Sequence, residues 1–299
     1  MKLTKQIIDN DFVHLKKLAL FGPEKRGRFF DYSNIYPFTN DKLKDIYKEL
    51  DCSKGALSVT ASGDQALMAI LNDAPKVTMF DINHLAKYFA LFKFTAIESL
   101  SYDEFIKLYK VNVPFNNFVA GGFLNKVNTN LYEKVCSNMD SLPSRFFELL
   151  YDFFQTATSS EKSNIINIKH YPKLSGYLNR KDYDLLKEKI KDVKEIEYID
   201  CDIFDLKKHI GDEKYSAIIF SNISSYFHCN ELNNFLILLK ELDDNLTDNA
   251  LVQAGYGNVR YSVEVGKNRM NPNFVDSNSS YFKDVISGGQ VITFYKPTK

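Results

Sequence analysis

The chain has no pair of cysteines placed to act together: Cys52, Cys136, Cys201 and Cys229 are scattered, with no C-x-x-C and no cysteine–histidine spacing of the kind zinc uses. No disulfide framework and no metal site are expected, and the thiols read as reduced and buried, as in a cytoplasmic protein. Net charge is missing as well, since 38 lysines and arginines balance 38 aspartates and glutamates. There is no overall field to gather nucleic acid or an anionic membrane, and no nucleic-acid partner is expected. Met1 to Leu15 mixes lysine and aspartate among its apolar residues, unlike a signal peptide, and no apolar run reaches the length of a membrane span. P-loop, G-x-S-x-G elbow and internal repeats are all absent, which removes the familiar nucleotide-hydrolase and nucleophile-elbow chemistries.

What is present is an alternation of strand and helix signals. Residues 1–50 read as a helical and aromatic lid segment, broken by Gly22, Pro23 and Gly27, with Thr39 placed to cap a helix over 41–50. Residues 51–299 read as an α/β domain. Ala56 to Thr60 is a short strand, Ala61-Ser62-Gly63-Asp64 a turn, Gln65 to Leu71 a helix, and Val77 to Phe80 a second strand running into Asp81. Strand, glycine turn, helix, strand and acid within some thirty residues is the layout of a nucleotide-binding βαβ unit.

Two helices follow, from about His84 to Leu100 and from Ser101. Residues 111–194 read as a helical insertion that covers the sheet edge and helps to shape an acceptor site. Strands resume at 196–199 and 216–220, another spans 250–253, and 261–265 with 290–295 are expected to close the sheet as an antiparallel hairpin.

The chemistry concentrates in the first βαβ unit. A helix that begins just past a strand offers unpaired N–H groups, and a glycine there lets a ligand come close. Thr60 to Gln65 supplies that turn with one glycine, Gly63, where a dinucleotide site has three, and adds the carboxylate of Asp64 where a pyrophosphate would sit. A ligand with positive charge and no phosphate suits such a loop. S-adenosylmethionine, with its sulfonium and α-ammonium, is the expected cofactor, Asp64 being its partner. The plainer reading of Asp64 is a favourable charge in the first turn of its helix.

Asp81, with Ile82 and Asn83 after it, is placed to accept both ribose hydroxyls; the alternative is a turn-forming Asp-x-Asn. Asp202 and Ile203 are set to receive adenine, with Asp200 and Asp205 as competing acids. Ser221 and Asn222 end the fourth strand, facing cofactor and acceptor. Tyr226 and His228 follow as residues to orient the acceptor and remove its proton, although a solitary histidine is more often structural.

Tyr32-Ser33-Asn34-Ile35-Tyr36-Pro37-Phe38-Thr39, the run from Leu57 to Leu67, Phe80-Asp81-Ile82-Asn83, and Leu91 to Ile97 with Leu100 to Phe105 resemble the S-adenosylmethionine:diacylglycerol aminocarboxypropyltransferases of betaine-lipid synthesis and their bacterial relatives. Ser221-Asn222-Ile223-Ser224 adds to the likeness, while residues 111–194 match no lipid-binding segment of that family. The resemblance implies a Rossmann-like class I methyltransferase sheet, mostly parallel with an antiparallel C-terminal hairpin. It also implies transfer of the 3-amino-3-carboxypropyl arm, in place of the methyl group, to a small-molecule or lipid-like acceptor. Tyr32 and Tyr36 then read as a lid over the methionine end of the cofactor, or else as aromatics that anchor the N-terminal helices.

Overall fold

The computed structural model describes residues 3–23, 31–39, 41–109, 129–166, 175–223, 227, 229–258, 279–287 and 290–297. Five strands run parallel: β1 (Ala56–Val59), β2 (Lys76–Asp81), β3 (Glu195–Asp200), β4 (Tyr215–Ile219) and β5 (Leu246–Asn258). β6 (Ser279–Ser287) and β7 (Gln290–Pro297) form an antiparallel pair, and β7 also runs antiparallel to β5. The order across the sheet is β3-β2-β1-β4-β5-β7-β6. The chain therefore starts in the middle, builds outward to β3, and returns to the other side of β1. That reversal opens a crevice at the carboxyl ends of β1 and β4. The result is the methyltransferase-like Rossmann sheet expected from the sequence.

Both faces of the sheet are covered, so its central strands read as continuous apolar runs; all of β4 is buried. Alternate residues serve different cores. Leu57, Phe80, Ile218 and Phe220 pack into a cluster with residues of α10 (Leu206–Ile210) and α11 (Cys229–Glu241). Ala56, Met79, Ala217 and Ile219 point into the larger cluster. This second core includes residues of α1 (Lys5–Phe21), α3 (Asp64–Leu71), α4 (Ala86–Ser99) and α5 (Tyr102–Tyr109). It also takes in α6 (Thr129–Cys136), α7 (Ser141–Thr156), α8 (Ser159–Ile165) and α9 (Arg180–Asp192), with α9 packed on α3 and α4, and both α7 and α8 on α1.

α1 starts where Thr4 Oγ1 accepts from the Ile7 N–H at 3.3 Å and stops at Gly22, whose φ of +71° suits a residue without a Cβ.

Three elements differ from expectation. The helix expected over 41–50 is a single turn, α2 (Leu43–Ile46), because Asp41 is drawn into the protein interior instead of starting a solvated helix. β5 runs on through Gly255 and Gly257, absorbing a register shift between Gln253 and Gly255, where the sequence suggested a stop. The partner of β7 is Ser279–Ser287; the expected strand at 261–265 lies outside the described residues.

Candidate functional site

A cavity of about 310 Å³ lies at the carboxyl ends of the central strands. It brings together Tyr36, Ala61, Ser62, Asp81, Ile82, Asn83, Asp202, Ile203, Ser221 and Asn222, all singled out in the sequence. They follow the sheet order: Asp202 and Ile203 lie past β3, Asp81 closes β2, Ala61 and Ser62 lie past β1, and Ser221 past β4. With neighbouring strands about 4.8 Å apart, the four positions span about 14 Å. Segment 33–39 supplies much of the cavity wall through Ser33, Asn34, Ile35 and Thr39; the first three belong to the stretch 32–38 that the sequence offered as a lid, without being named as site residues, and Thr39 was expected only as a helix cap.

Asp81 is partly exposed to this cavity. Its Oδ2 accepts from the Ala61 N–H at 2.9 Å and its Oδ1 from the Asn83 N–H at 3.0 Å, the second being the Asp-x-Asn turn foreseen as an alternative. Each oxygen keeps a further lone pair, so the turn does not preclude a ligand. Burial raises this carboxyl to about 6, against the lowering effect of the N–H groups of Asn83 and Ala61. Asp202 Oδ1 accepts from the Phe204 N–H at 2.8 Å.

The helix-start residues sit behind this wall, and their expected role is corrected. Asp64 is fully buried, and its two oxygens take four donors: Lys93 Nζ and the Tyr177 hydroxyl at 2.6 Å on Oδ1, the Thr39 N–H at 2.6 Å and the Ser175 hydroxyl at 2.9 Å on Oδ2. Lys93 neutralises it, so it does not serve as the acid for a ligand cation. Gly63, at φ +80°, faces α4 rather than a ligand: a Cβ there would lie 3.1 Å from Ala90 Cβ and 3.2 Å from Ala90 Cα. Its lack of a side chain permits close packing between α3 and α4. Thr60 and Gln65 are also fully buried and outside the cavity wall.

Tyr32, too, does not face the cavity. Its hydroxyl donates to Asp11 Oδ1 at 2.7 Å, and its ring stacks on His14 at 4.3 Å and on His84 at 5.1 Å. Asp11 Oδ2 receives the Tyr88 hydroxyl at 2.6 Å, and Lys87 Nζ lies 3.2 Å from the same oxygen and 3.4 Å from Asp200 Oδ2. His84 Nδ1 is 2.7 Å from Asp200 Oδ2, a hydrogen bond that raises the imidazole above its usual value against the opposing effect of burial. This network ties α1 to the start of α4 and the end of β3, which makes Tyr32 the anchor of the two readings. The carboxamide of Asn83, although on the cavity wall, is spent on the same segment: its Oδ1 accepts from the Ser33 N–H and its Nδ2 donates to Ser33 O and Oγ.

Two non-glycine residues in the left-handed region, Ala61 at φ +43° and Ser221 at φ +54°, stand on the cavity wall past the neighbouring strands β1 and β4. Both are clamped. Asp81 holds the Ala61 N–H, while Gln253 Oε1 accepts from the Ser221 N–H at 2.7 Å and Gln253 Nε2 donates to Ser221 O at 3.1 Å. The Ser221 hydroxyl donates to Asp41 Oδ2, which also accepts from Gln65 Nε2 at 2.8 Å. Asp41 is fully buried, and burial pushes its carboxyl up to about 6 against the hydrogen bonds of Ser221, Gln65 and Thr39. Sequence reasoning missed Asp41 because it reads as part of a helix start.

Among the described residues no group of three or more potential metal ligands is found, and no helix is long and apolar enough to cross a membrane. The helices between 129 and 194 contribute no described residue to the cavity wall, so the expected shaping of an acceptor site by residues 111–194 is not seen among the described residues. Tyr226 and His228 lie outside the described residues.

No family model and no curated protein matches the chain. Two solved structures of the rRNA methyltransferase aviRa from Streptomyces viridochromogenes, at 2.4 Å and 1.5 Å resolution, are similar to 98% and 99% of this chain and to 85% of their own, each with 10% identity and a TM-score of 0.37.

Proposed function

We propose that the chain is a transferase that uses S-adenosylmethionine, held across the carboxyl ends of β3, β2, β1 and β4. The observation that carries this reading is the order of groups along one cavity. An apolar side chain and an acid past β3 suit adenine, a carboxylate with lone pairs to spare closes β2 where ribose hydroxyls would donate, and a polar, uncharged end with Ser62 and Ser221 lies at β1 and β4. The chain's own residues fit such a ligand. Asp81 is ionised at neutral pH and can accept from both hydroxyls, Ile82 and Ile203 supply apolar surface, and Ser62 and Ser221 meet the amino-acid end.

The cofactor, when bound, supplies an electrophilic carbon on a positively charged sulfur, and in-line displacement leaves the C–S electron pair on that sulfur. Tyr36, 41% exposed, stands at the cavity and serves as a lid residue in this reading. Tyr226 and His228, which follow β4 in the sequence, are its acceptor-side residues.

The finer assignment is transfer of the 3-amino-3-carboxypropyl group to a small-molecule or lipid-like nucleophile, supported by the resemblance of residues 32–39, 57–67 and 80–83. Methyl transfer is the second reading, favoured by the methyltransferase-like sheet. Incubation with S-adenosylmethionine and candidate acceptors separates them by product mass. Methylthioadenosine supports the first and S-adenosylhomocysteine the second. Failure of the folded protein to bind the cofactor in a calorimetric titration rejects both.

A further inference from the structure

Segment 31–36 carries Ser33, Asn34, Ile35 and Tyr36 onto the cavity wall, and it is tied down on two sides. Towards α8 the Ile35 N–H donates to Ile165 O at 2.7 Å. Towards α4 the His84 N–H donates to Asp31 O at 2.8 Å, the His84 ring stacks on Tyr32 at 5.1 Å, and the Asn83 carboxamide holds Ser33. The wall segment is thus fastened beside a side chain that changes its charge near neutral pH.

The charges around that ring balance only when it is protonated. Asp11 is 2% exposed and the Asp200 side chain 8%, yet both lean on one amine, Lys87 Nζ, at 3.2 Å and 3.4 Å. A shared lysine neutralises one carboxylate, and a buried charge left over is costly. His84 Nδ1, 2.7 Å from Asp200 Oδ2, supplies the second cation when its ring carries both protons. The ionisable groups gathered around it are Asp11 and His14 from α1, Asp31 and Tyr32 from the wall segment, Lys87 and Tyr88 from α4, Asp81 from β2, and Tyr198 and Asp200 from β3. Four carboxylates face one lysine in this group, and the Asp200 bond leads the influences that raise the imidazole, against burial and Lys87. A neutral ring can keep the Nδ1–H bond to Asp200, but it loses the charge and the cation–π attraction to Tyr32. The side chain is 32% exposed, so its proton exchanges with solvent.

We propose that His84 is a proton-operated latch on the cavity wall: the imidazolium between Asp200 and Tyr32 holds segment 31–36 down, and loss of its Nε2 proton loosens that segment. His84 is a positioning residue, since it is not on the wall itself and acts through Asp31 and Tyr32. Its hold is complete below the ordinary imidazole value of 6.5 and is lost as pH rises through the raised folded value. The latch belongs to the ligand-free fold and does not rest on the cofactor reading.

The chain contains no tryptophan, so Tyr36→Trp places a sole indole on the wall, at a position 41% exposed that has room for the larger ring. In ligand-free protein with that change, the His84 ring C–H resonances and the indole emission are followed together from about pH 5.5 to about pH 9. The ring is expected to titrate above 6.5, and the emission to shift to the red with the same midpoint. Protection of the Ser33 amide against hydrogen exchange, corrected for the intrinsic rise with pH, is expected to fall about fivefold across the transition, the gap between a charged and a neutral hydrogen bond. His84→Gln keeps a donor for Asp200 but takes up no proton, and is expected to abolish both changes. A ring that titrates while emission and protection stay constant overturns the proposal without the second variant, as does a midpoint at or below 6.5. Changes that persist in a folded His84→Gln protein also overturn it.

Discussion

At the scale of single residues, two acids with raised carboxyls play different parts, one on the cavity wall and one behind it. Asp81 is kept in place by the Ala61 and Asn83 N–H groups, which leaves its carboxylate preformed for a ligand hydroxyl. Asp81→Ala is expected to weaken S-adenosylhomocysteine binding by about 1–3 kcal/mol in calorimetry, as two hydrogen bonds to a charged group are lost. Asp41 is different, because it is fully buried behind the wall and held by uncharged partners, Ser221, Gln65 and Thr39. A carboxyl raised to about 6 from an ordinary 3.8 costs stability once it ionises. Asp41→Asn is therefore expected to raise the unfolding free energy of the ligand-free protein at pH 7 by at most about 3 kcal/mol, read as a higher thermal midpoint, with the gain shrinking as pH falls from 6 to 4. A variant less stable than wild type at pH 7 would show that the hydrogen bonds to Asp41 outweigh its charge.

The β1–α3 unit shows at the scale of elements why some of the site was legible and some was not. A change of period from strand to helix, one glycine and a closing acid are local signals, and they located the turn, α3, β2 and Asp81 without any tertiary information. The role of Asp64 was not local. Its four donors, Thr39, Lys93, Ser175 and Tyr177, come from 25, 29, 111 and 113 residues away, and together they convert an apparent ligand group into a buried structural one. Gly63 was read as a ligand cradle for the same reason, since nothing nearby in sequence announces that Ala90 will pack against it.

The consequence of that packing is measurable. Gly63→Val places a β-branched side chain at φ +80° against Ala90 and is expected to destabilise the fold by about 2–4 kcal/mol in chemical denaturation. A variant as stable as wild type would return Gly63 to the cavity. The C-terminal hairpin makes the complementary point: β7 was recognisable from its own apolar pattern, whereas its partner Ser279–Ser287 begins in a serine-rich stretch that gives little strand signal.

For the whole molecule, the arrangement of acids fixes how stability responds to pH. In the folded protein Asp41 and Asp81 hold their protons up to about 6, so between about pH 4 and 6 the unfolded chain has lost protons that the folded one keeps, and stability falls as pH rises. His84, raised by Asp200, adds stability below its ordinary value of 6.5 that is lost as pH rises through its folded value. In the other direction, Asp200 and Asp182 are held below the usual carboxylate range, Asp200 by His84 against its burial and Asp182 first by Asn179, and their contribution disappears only in stronger acid. Thermal unfolding of the ligand-free protein is thus expected to peak near about pH 4 and to decline towards pH 7.5. A maximum at neutral pH would mean that these buried acids do not govern stability.

The α1 anchor and the crevice belong to one arrangement. The sheet order brings the polar groups together, and the Asp11–Tyr88–Lys87–Asp200 network holds the N-terminal segment across them. A crystal of the protein with S-adenosylhomocysteine tests this most directly. The account predicts adenine beside Asp202 and Ile203, both ribose hydroxyls within hydrogen-bonding distance of the Asp81 carboxylate, and the amino-acid arm directed to Ser62 and Ser221. Density for the nucleoside away from Asp81, or an empty crevice in crystals saturated with the ligand, would contradict it.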